Sequence, residues 1–194
     1  MAPMKDPIER FHELFARAKS RETQDPTAMA LATADASGRP SVRMVLLKGA
    51  DEAGFAFYTN FGSRKARDLA ARPQAALCLH WPVMAVQVRV EGAVAPVTAE
   101  EADAYFATRP RRSQIGAWAS IQSAPLPGRH WLVARYLSFA AKFGGQEIPR
   151  PEFWGGFRVV PERIEFWYNQ EYRLHDRIVY TRRDGGWHEE RLYP

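Results

Sequence analysis

Apolar residues recur along this chain at two different periods, and the switches between them mark out its elements. In "DPIERFHELFARAKS", Ile8, Phe11, Leu14, Phe15 and Ala18 repeat at the spacing of a one-sided helix. Asp6 stands where an N-cap belongs, Pro7 at the first helical position and Glu9 three residues past the cap. A helix is therefore predicted over about residues 7–20. The period then shortens. "AMALATADASGRPSVRMVLLK" reads as two strands around an Ala36-Ser37-Gly38 turn, and "GFAFYTN" as a third strand after a charged turn from Gly49 to Ala53. Within the second of these, most of "SVRMVLLKG" reads as a strongly buried strand.

"SRKARDLAARP" has Ser63 as N-cap and stops at Pro73, a short helix. "QAALCLHW" and "AVQVRVEGAVAPV" are strands. "TAEEADAYFATRP" is a helix with a capping box from Thr98 to Glu101, ended before Pro110. "SQIGAWAS" is a short helix with Ser113 at its cap, and "RHWLVARYLSFAAKF" a longer one ending at Gly144-Gly145. Three strands close the chain: "GGFRVVP", "RIEFWYN" with the "RLHDRIVYTRR" that follows it, and "WHEERLY" after the Asp184-Gly185-Gly186 turn. Many strands, few helices and no regular βαβ alternation predict a mainly β (α+β) protein, an antiparallel barrel decorated with helices. No linker divides it, so residues 1–194 are expected to form a single domain, with the barrel and inserted helices over about 27–194.

Composition narrows the function. With 194 residues, 46% of them hydrophobic, the chain can bury a core of its own. It has no apolar run long enough to span a membrane and no basic-then-apolar leader at Met1, and its single cysteine fits a reducing cytoplasm. Its one cysteine, Cys78, leaves no intramolecular disulfide and reads as a small buried hydrophobe in "AALCLHW". The net charge of +5 suits anionic partners. No dense Lys/Arg block, repeat or zinc spacing favours nucleic acid or a metal, and the arginines fall singly among apolar residues, as discrete phosphate pockets require.

Five segments hold candidate chemistry. In "FYTNFGSRKARDL", Tyr58 and Thr59 end a strand, and a Gly62-Ser63 turn delivers Arg64 and Lys65 into the first turn of a helix. Two cations beside free backbone N–H groups oppose the helix dipole unless an anion sits there, so a phosphate is expected. Arg43 and Lys48 fall on opposite faces by strict alternation and can share a pocket wall only near a strand end or a bulge; alternatively both are snorkelling edge charges. Tyr105 and Arg109 share a helix face and, with Ser113, can hold a second phosphate; Gln122 and Ser123 then precede a Pro-rich loop. Gln87 shares a strand face with Ala85, Arg89 and Glu91, opposite Val86, Val88 and Val90. That face is either solvated or offers the Gln amide to the edge of a heterocycle. In "EYRLHDRIVY", Arg173, His175 and Arg177 alternate, so on a strand they would share one side. Trp118 and Trp131 are read as packing residues.

"RMVLLK", "FYTNFGSRKA", "YFATRPRRSQIGAWAS-IQS", "FWGGFRVVPERIEFW" and "RLHDR" occur in the order and spacing of the pyridoxamine 5′-phosphate oxidases, a resemblance running from about Asp25 to Pro194. It implies an FMN-binding split β-barrel working as a homodimer, with flavin at the subunit interface. By that resemblance Arg43, Met44, Val45, Leu46, Leu47, Lys48, Tyr58, Thr59, Arg64, Lys65, Gln87, Gln122, Ser123, Trp167 and Arg177 form the FMN set. Lys48, Tyr105, Arg109, Ser113, Arg173, Leu174 and His175 form the substrate set, and Arg173 and His175 are its catalytic members. Arg173 would press the substrate ring against flavin, and His175 would accept a proton or a hydrogen bond. The implied reaction oxidises pyridoxamine or pyridoxine 5′-phosphate to pyridoxal 5′-phosphate, passing a hydride from C4′ to flavin N5 and reducing O2 to H2O2.

Two features depart from the family's pattern. No Arg-x-x-Tyr segment stands ahead of the first helix, and Val86 precedes Gln87 where an Arg is usual. Two other readings stay open: an oxidase or reductase of the same barrel acting on a different small molecule, and a flavin- or pyridoxal-phosphate-binding protein with little turnover.

Overall fold

The computed structural model describes residues 6–194, so the expectation about the residues after Met1 lies outside it. Helix α1 (Pro7–Arg21) starts as its caps dictate: Asp6 Oδ1 accepts from the N–H of Ile8 at 2.7 Å and of Glu9 at 3.3 Å. Its apolar stripe (Ile8, Phe11, Leu14 and Ala18) is buried, and the Phe11 ring meets Phe55 edge-on at 4.9 Å. This helix lies over a sheet of strands β1 (Ala28–Ala34), β2 (Pro40–Leu46), β3 (Gly49–Asp51), β4 (Gly54–Asn60), β5 (Gln74–Trp81), β6 (Val86–Pro96), β7 (Trp154–Tyr168), β8 (Asp176–Arg183) and β9 (Gly186–Leu192). The remaining helices are α2 (Arg64–Ala71), α3 (Ala99–Thr108), α4 (Arg111–Ala119) and α5 (Arg129–Phe143). Every strand pair is antiparallel, in the order β2-β1-β5-β6-β7-β4-β3, with β8 and then β9 added on β7. The architecture is the expected one, mainly β with helices: a curled antiparallel sheet of the split-barrel type.

Strand β7 is the spine. It pairs with β6 along its length, with β4 over its first half and with β8 over its second, so the sheet forks there. "GGFRVVP" and "RIEFWYN" are thus one strand rather than two, and "RLHDRIVYTRR" contributes a separate strand. The join is a bulge, where the register of β6 on β7 shifts between Glu91 and Gly92. Pro161 sits at that break, where a missing N–H costs no ladder bond. A Cβ on its partner Gly92 would lie 2.0 Å from the carbonyl oxygen of Val160, so only glycine permits the approach. Alternation along β6 holds: Val86, Val88 and Val90 are buried against Ile164 and Phe166, while Gln87, Arg89 and Glu91 face outward.

Three other local expectations change. Gly49–Asp51 is a strand paired with β4, so the charged turn shrinks to the residues after Asp51. Ser113 is inside α4, whose cap position is Pro110. Strand β2 is not strongly buried: Val42, Met44 and Leu46 are 68%, 64% and 42% exposed. β2 is the end of the sheet, and the pairings Ala32–Val42, Ala30–Met44 and Ala28–Leu46 turn these side chains away from the core that holds Met29 and Leu31.

Candidate active site

A second apolar cluster, built from Phe106, Ile115, Phe143, Ile148 and Trp154, anchors α3, α4 and α5 beside the start of β7. Between these helices and the ends of β2 and β4 lies a cleft of about 490 Å³. One wall is an aromatic stack: Tyr58 lies 4.1 Å from Tyr105 and 5.4 Å from Trp154, centroid to centroid, the latter pair nearly parallel at 7°. The Arg109 guanidinium packs 4.7 Å over Trp154. Its Nη1 is buried with no hydrogen-bond partner among the described residues, and burial pulls its pKa below the usual arginine value. An unpartnered buried guanidinium nitrogen is costly, and an anion in the cleft would remove that cost. Lys48, just past the end of β2, and Ser113, in the first turn of α4, line the same cleft. Arg43 does not line it, so the two cations share no wall, and Lys48 alone reaches the cleft from beyond the strand end.

The far end of the cleft is a cation cradle. Ser63 caps α2, which carries no acidic residue in its first turn. Lys65 Nζ donates to Thr59 Oγ1 at 3.1 Å and to Gln122 Oε1 at 3.2 Å, both neutral oxygens. Burial, and then the nearby Arg43 charge, lower the Lys65 pKa. The Arg64 N–H donates to Ser123 Oγ at 3.3 Å, with Ser123 held at φ 67°. Half-buried positive charge held by neutral acceptors at a helix N-terminus is a donor set that fits a phosphate. Met44, Val45 and Leu46 also line the cleft, whereas Leu47 is 3% exposed in the core. Arg43 is turned inward, donating to Thr33 Oγ1 at 2.7 Å and Ser41 Oγ at 2.8 Å, with Asp68 at 3.6 Å.

The remaining candidates lie elsewhere. Gln87, Trp167 and Arg177 form one cross-strand row over β6, β7 and β8. The expected common strand face of Arg173, His175 and Arg177 is absent. Glu171–Arg173 is a 3-10 turn in which Tyr172 and Arg173 take left-handed φ values of 56° and 62°, and β8 starts only at Asp176. Arg173 and Leu174 are exposed, so no cationic face is buried there. His175 instead rests its ring 4.5 Å from Trp167 and accepts the Gln170 N–H at Nδ1, 3.2 Å away. This group sits at the Trp167 end of β7 and the cleft at the Trp154 end, about 40 Å of strand apart at roughly 3.3 Å per residue.

Sequence reasoning missed Trp154, Asn60 and Ser120, which line the cleft, although "FWGGF" and "FYTNFG" hold the first two. Trp118 packs against Phe139, Phe143 and Phe153, as a packing residue should, while Trp131 is 55% exposed. Cys78, expected to be buried, is only partly so, and that partial burial raises its thiol pKa.

The chain matches two family models: "Pyridoxamine 5′-phosphate oxidase" over residues 16–142 and "Pyridoxine 5′-phosphate oxidase C-terminal dimerisation region" over residues 154–194. It is 61% identical over 189 residues to a pyridoxine/pyridoxamine 5′-phosphate oxidase of Anaeromyxobacter dehalogenans, covering 97% of this chain and 96% of the relative. It is 56% identical to the protein of that name in Rhodospirillum rubrum, covering 98% and 97%. Among solved structures it resembles PhzG from Burkholderia lata in complex with tetrahydrophenazine-1-carboxylic acid, with a TM-score of 0.94, 32% identity and coverage of 100% and 95%. An FMN-binding protein from Nostoc punctiforme, related to pyridoxamine 5′-phosphate oxidase, shares the fold at a TM-score of 0.76, 18% identity and coverage of 100% and 98%.

Proposed function

The chain belongs to the pyridoxamine 5′-phosphate oxidase family and is an oxidoreductase, and on that premise we propose that it is an FMN-dependent oxidase of pyridoxamine and pyridoxine 5′-phosphates. The observation that carries the substrate class is the cleft with Arg109 in it: a buried, unpartnered guanidinium nitrogen flanked by Lys48, Tyr105 and Ser113. FMN fits the cation cradle of Lys65, Arg64, Ser123 and Gln122, where no carboxylate among the described residues is hydrogen-bonded or ion-paired to Lys65 or Arg64. Bound there, FMN would supply the acceptor for the substrate hydride and pass its electrons to O2.

The protein's own residues hold and orient. Arg109 and Lys48 neutralise the substrate phosphate, Tyr105 and Ser113 add hydroxyl donors, and fixing that end sets the angle of the ring. Arg173 and His175, with Gln87, Trp167 and Arg177, stand at the other end of β7 from this clamp. That separation supports a homodimer in which each cleft is completed by the second copy's Trp167 end, as does the match to a dimerisation region. His175 serves as a hydrogen-bond donor. With Nδ1 accepting from Gln170, the neutral ring carries its proton on Nε2, and it accepts a proton there only by giving up that tautomer.

The test is a purified protein with a flavin absorption spectrum that releases peroxide and pyridoxal phosphate when given pyridoxamine 5′-phosphate. Equal turnover of the unphosphorylated amine would overturn the phosphate-clamp reading. The likeness to PhzG, solved in complex with tetrahydrophenazine-1-carboxylic acid, favours one second reading, an oxidase of the same barrel acting on a partly reduced aromatic carboxylic acid, and peroxide from such an acid but from neither B6 phosphate would point there.

A further inference from the structure

We propose that Glu165 is the positioning residue that aims Arg177 at the flavin; the proposal rests on the FMN reading above. Glu165 is 1% exposed although it lies on the outward face of β7. Its Oε1 accepts from Arg177 Nε at 2.8 Å, and its Oε2 from Arg163 Nη2 at 3.0 Å and Arg89 Nη1 at 3.4 Å. Arg177 Nη1 donates in addition to the Tyr193 carbonyl at 3.0 Å. With Nε and Nη1 committed, Nη2 is the part of the fork that has no partner among the described residues. A planar guanidinium fixed at two points cannot rotate, so the direction of its third donor is set. That donor belongs to the same cross-strand row as Gln87 and Trp167.

The three arginines are not equivalent. Arg89 and Arg163 also bond Glu91, at 2.8 and 3.1 Å, whereas Glu165 is the one carboxylate on Arg177 among the described residues. Burial pushes the Glu165 carboxyl upward, but the hydrogen bond and charge of Arg177, then Arg163 and Arg89, bring it below its ordinary pKa, so it is ionised when it holds Arg177. Glu91 is therefore the internal control. Its loss loosens the network on Arg89 and Arg163 and leaves the Arg177 contacts alone.

The experiment titrates the full-length wild type, Glu165→Gln, Glu91→Gln, Arg177→Ala and the Glu165→Gln/Arg177→Ala double variant with FMN, following quenching of flavin fluorescence, with thermal unfolding measured alongside. The expected result is an FMN Kd raised roughly tenfold by Glu165→Gln, the size of one charge-assisted hydrogen bond, and less than about twofold by Glu91→Gln. In the Arg177→Ala background Glu165→Gln should add less than about twofold. The assignment is overturned if Glu165→Gln lowers the melting temperature with the FMN Kd unmoved. It also falls if Glu91→Gln weakens FMN as much, or if the effect persists without Arg177. If Glu165→Gln does not fold, Glu165→Asp keeps the charge and shortens the reach, and the same Kd shift decides. A wild type that does not bind FMN overturns the functional reading itself, and this assignment with it.

Discussion

Replacing Lys65 with Met tests the cation cradle most directly. The ammonium is half-buried, its two partners are the neutral oxygens of Thr59 and Gln122 at 3.1 and 3.2 Å, and its pKa is lowered by burial and by Arg43. Without ligand, the variant loses two hydrogen bonds but also sheds a partly desolvated charge near another cation. These oppose one another, so stability should change by less than about 1 kcal/mol. With FMN present, one charge-assisted hydrogen bond to phosphate is lost, worth about 1.5–3 kcal/mol, and the Kd should rise about 10- to 150-fold. Riboflavin carries the same ring without the phosphate, so its affinity should move less than about threefold. Fluorescence-quenching titrations with the two flavins, run in parallel, read the difference. A variant that loses both flavins equally, or neither, refutes the argument that Lys65 meets a phosphate. The sign of a second readout is also set. Because the folded-state pKa lies below the unfolded value near 10.5, the unfolded chain binds more protons between the two. The stability of the ligand-free wild type therefore rises with pH across that window, and Lys65→Met removes the rise.

Arg109→Met should leave the ligand-free protein as stable as before or slightly more so, since it removes an unpartnered buried nitrogen, while raising KM for pyridoxamine 5′-phosphate about 10- to 100-fold. Steady-state peroxide assays check this, and an unchanged KM would sink the clamp. Gly92→Ala should cost roughly 3 kcal/mol or shift the bulge, because the new methyl meets the Val160 carbonyl; urea unfolding measures it, and a loss under about 0.5 kcal/mol would mean that β6 and β7 are not held this closely. Glu165 titrates below its ordinary value when folded, so it contributes stability above the unfolded pKa near 4.5 that is lost as pH falls through the folded pKa. Glu165→Gln should accordingly flatten the acid limb of the stability curve, and an unaltered slope between wild type and variant would contradict it.

What the amino-acid order determined by itself was whatever depends on neighbours a few residues apart. Asp6, Pro7 and the Ile8-Phe11-Leu14 stripe specify α1 within nine consecutive residues. Thr98 and Glu101 do the same for α3, and the alternating valines of "AVQVRV" for β6. The cradle at Arg64 and Lys65 was legible for the same reason: a strand end, a turn and a helix start lie within a few residues of one another. Tertiary structure decided the rest. The apolar side chains of β2 read as core, yet sheet order makes β2 an edge strand and turns Val42, Met44 and Leu46 outward. The alternation of Arg173, His175 and Arg177 read as a strand face, but it holds only where a partner strand supplies the ladder; β7 pairs with β8 from Asp176 onward, and the residues before it coil through two left-handed positions. The resemblance assigns one set of residues to FMN and another to substrate, and within one chain each set is split between the two ends of β7. Local hydrogen bonds and side-chain period are written in adjacent residues. Which segment lies alongside, and whether a face meets core, solvent or a second copy, is set by pairings between segments far apart in the chain.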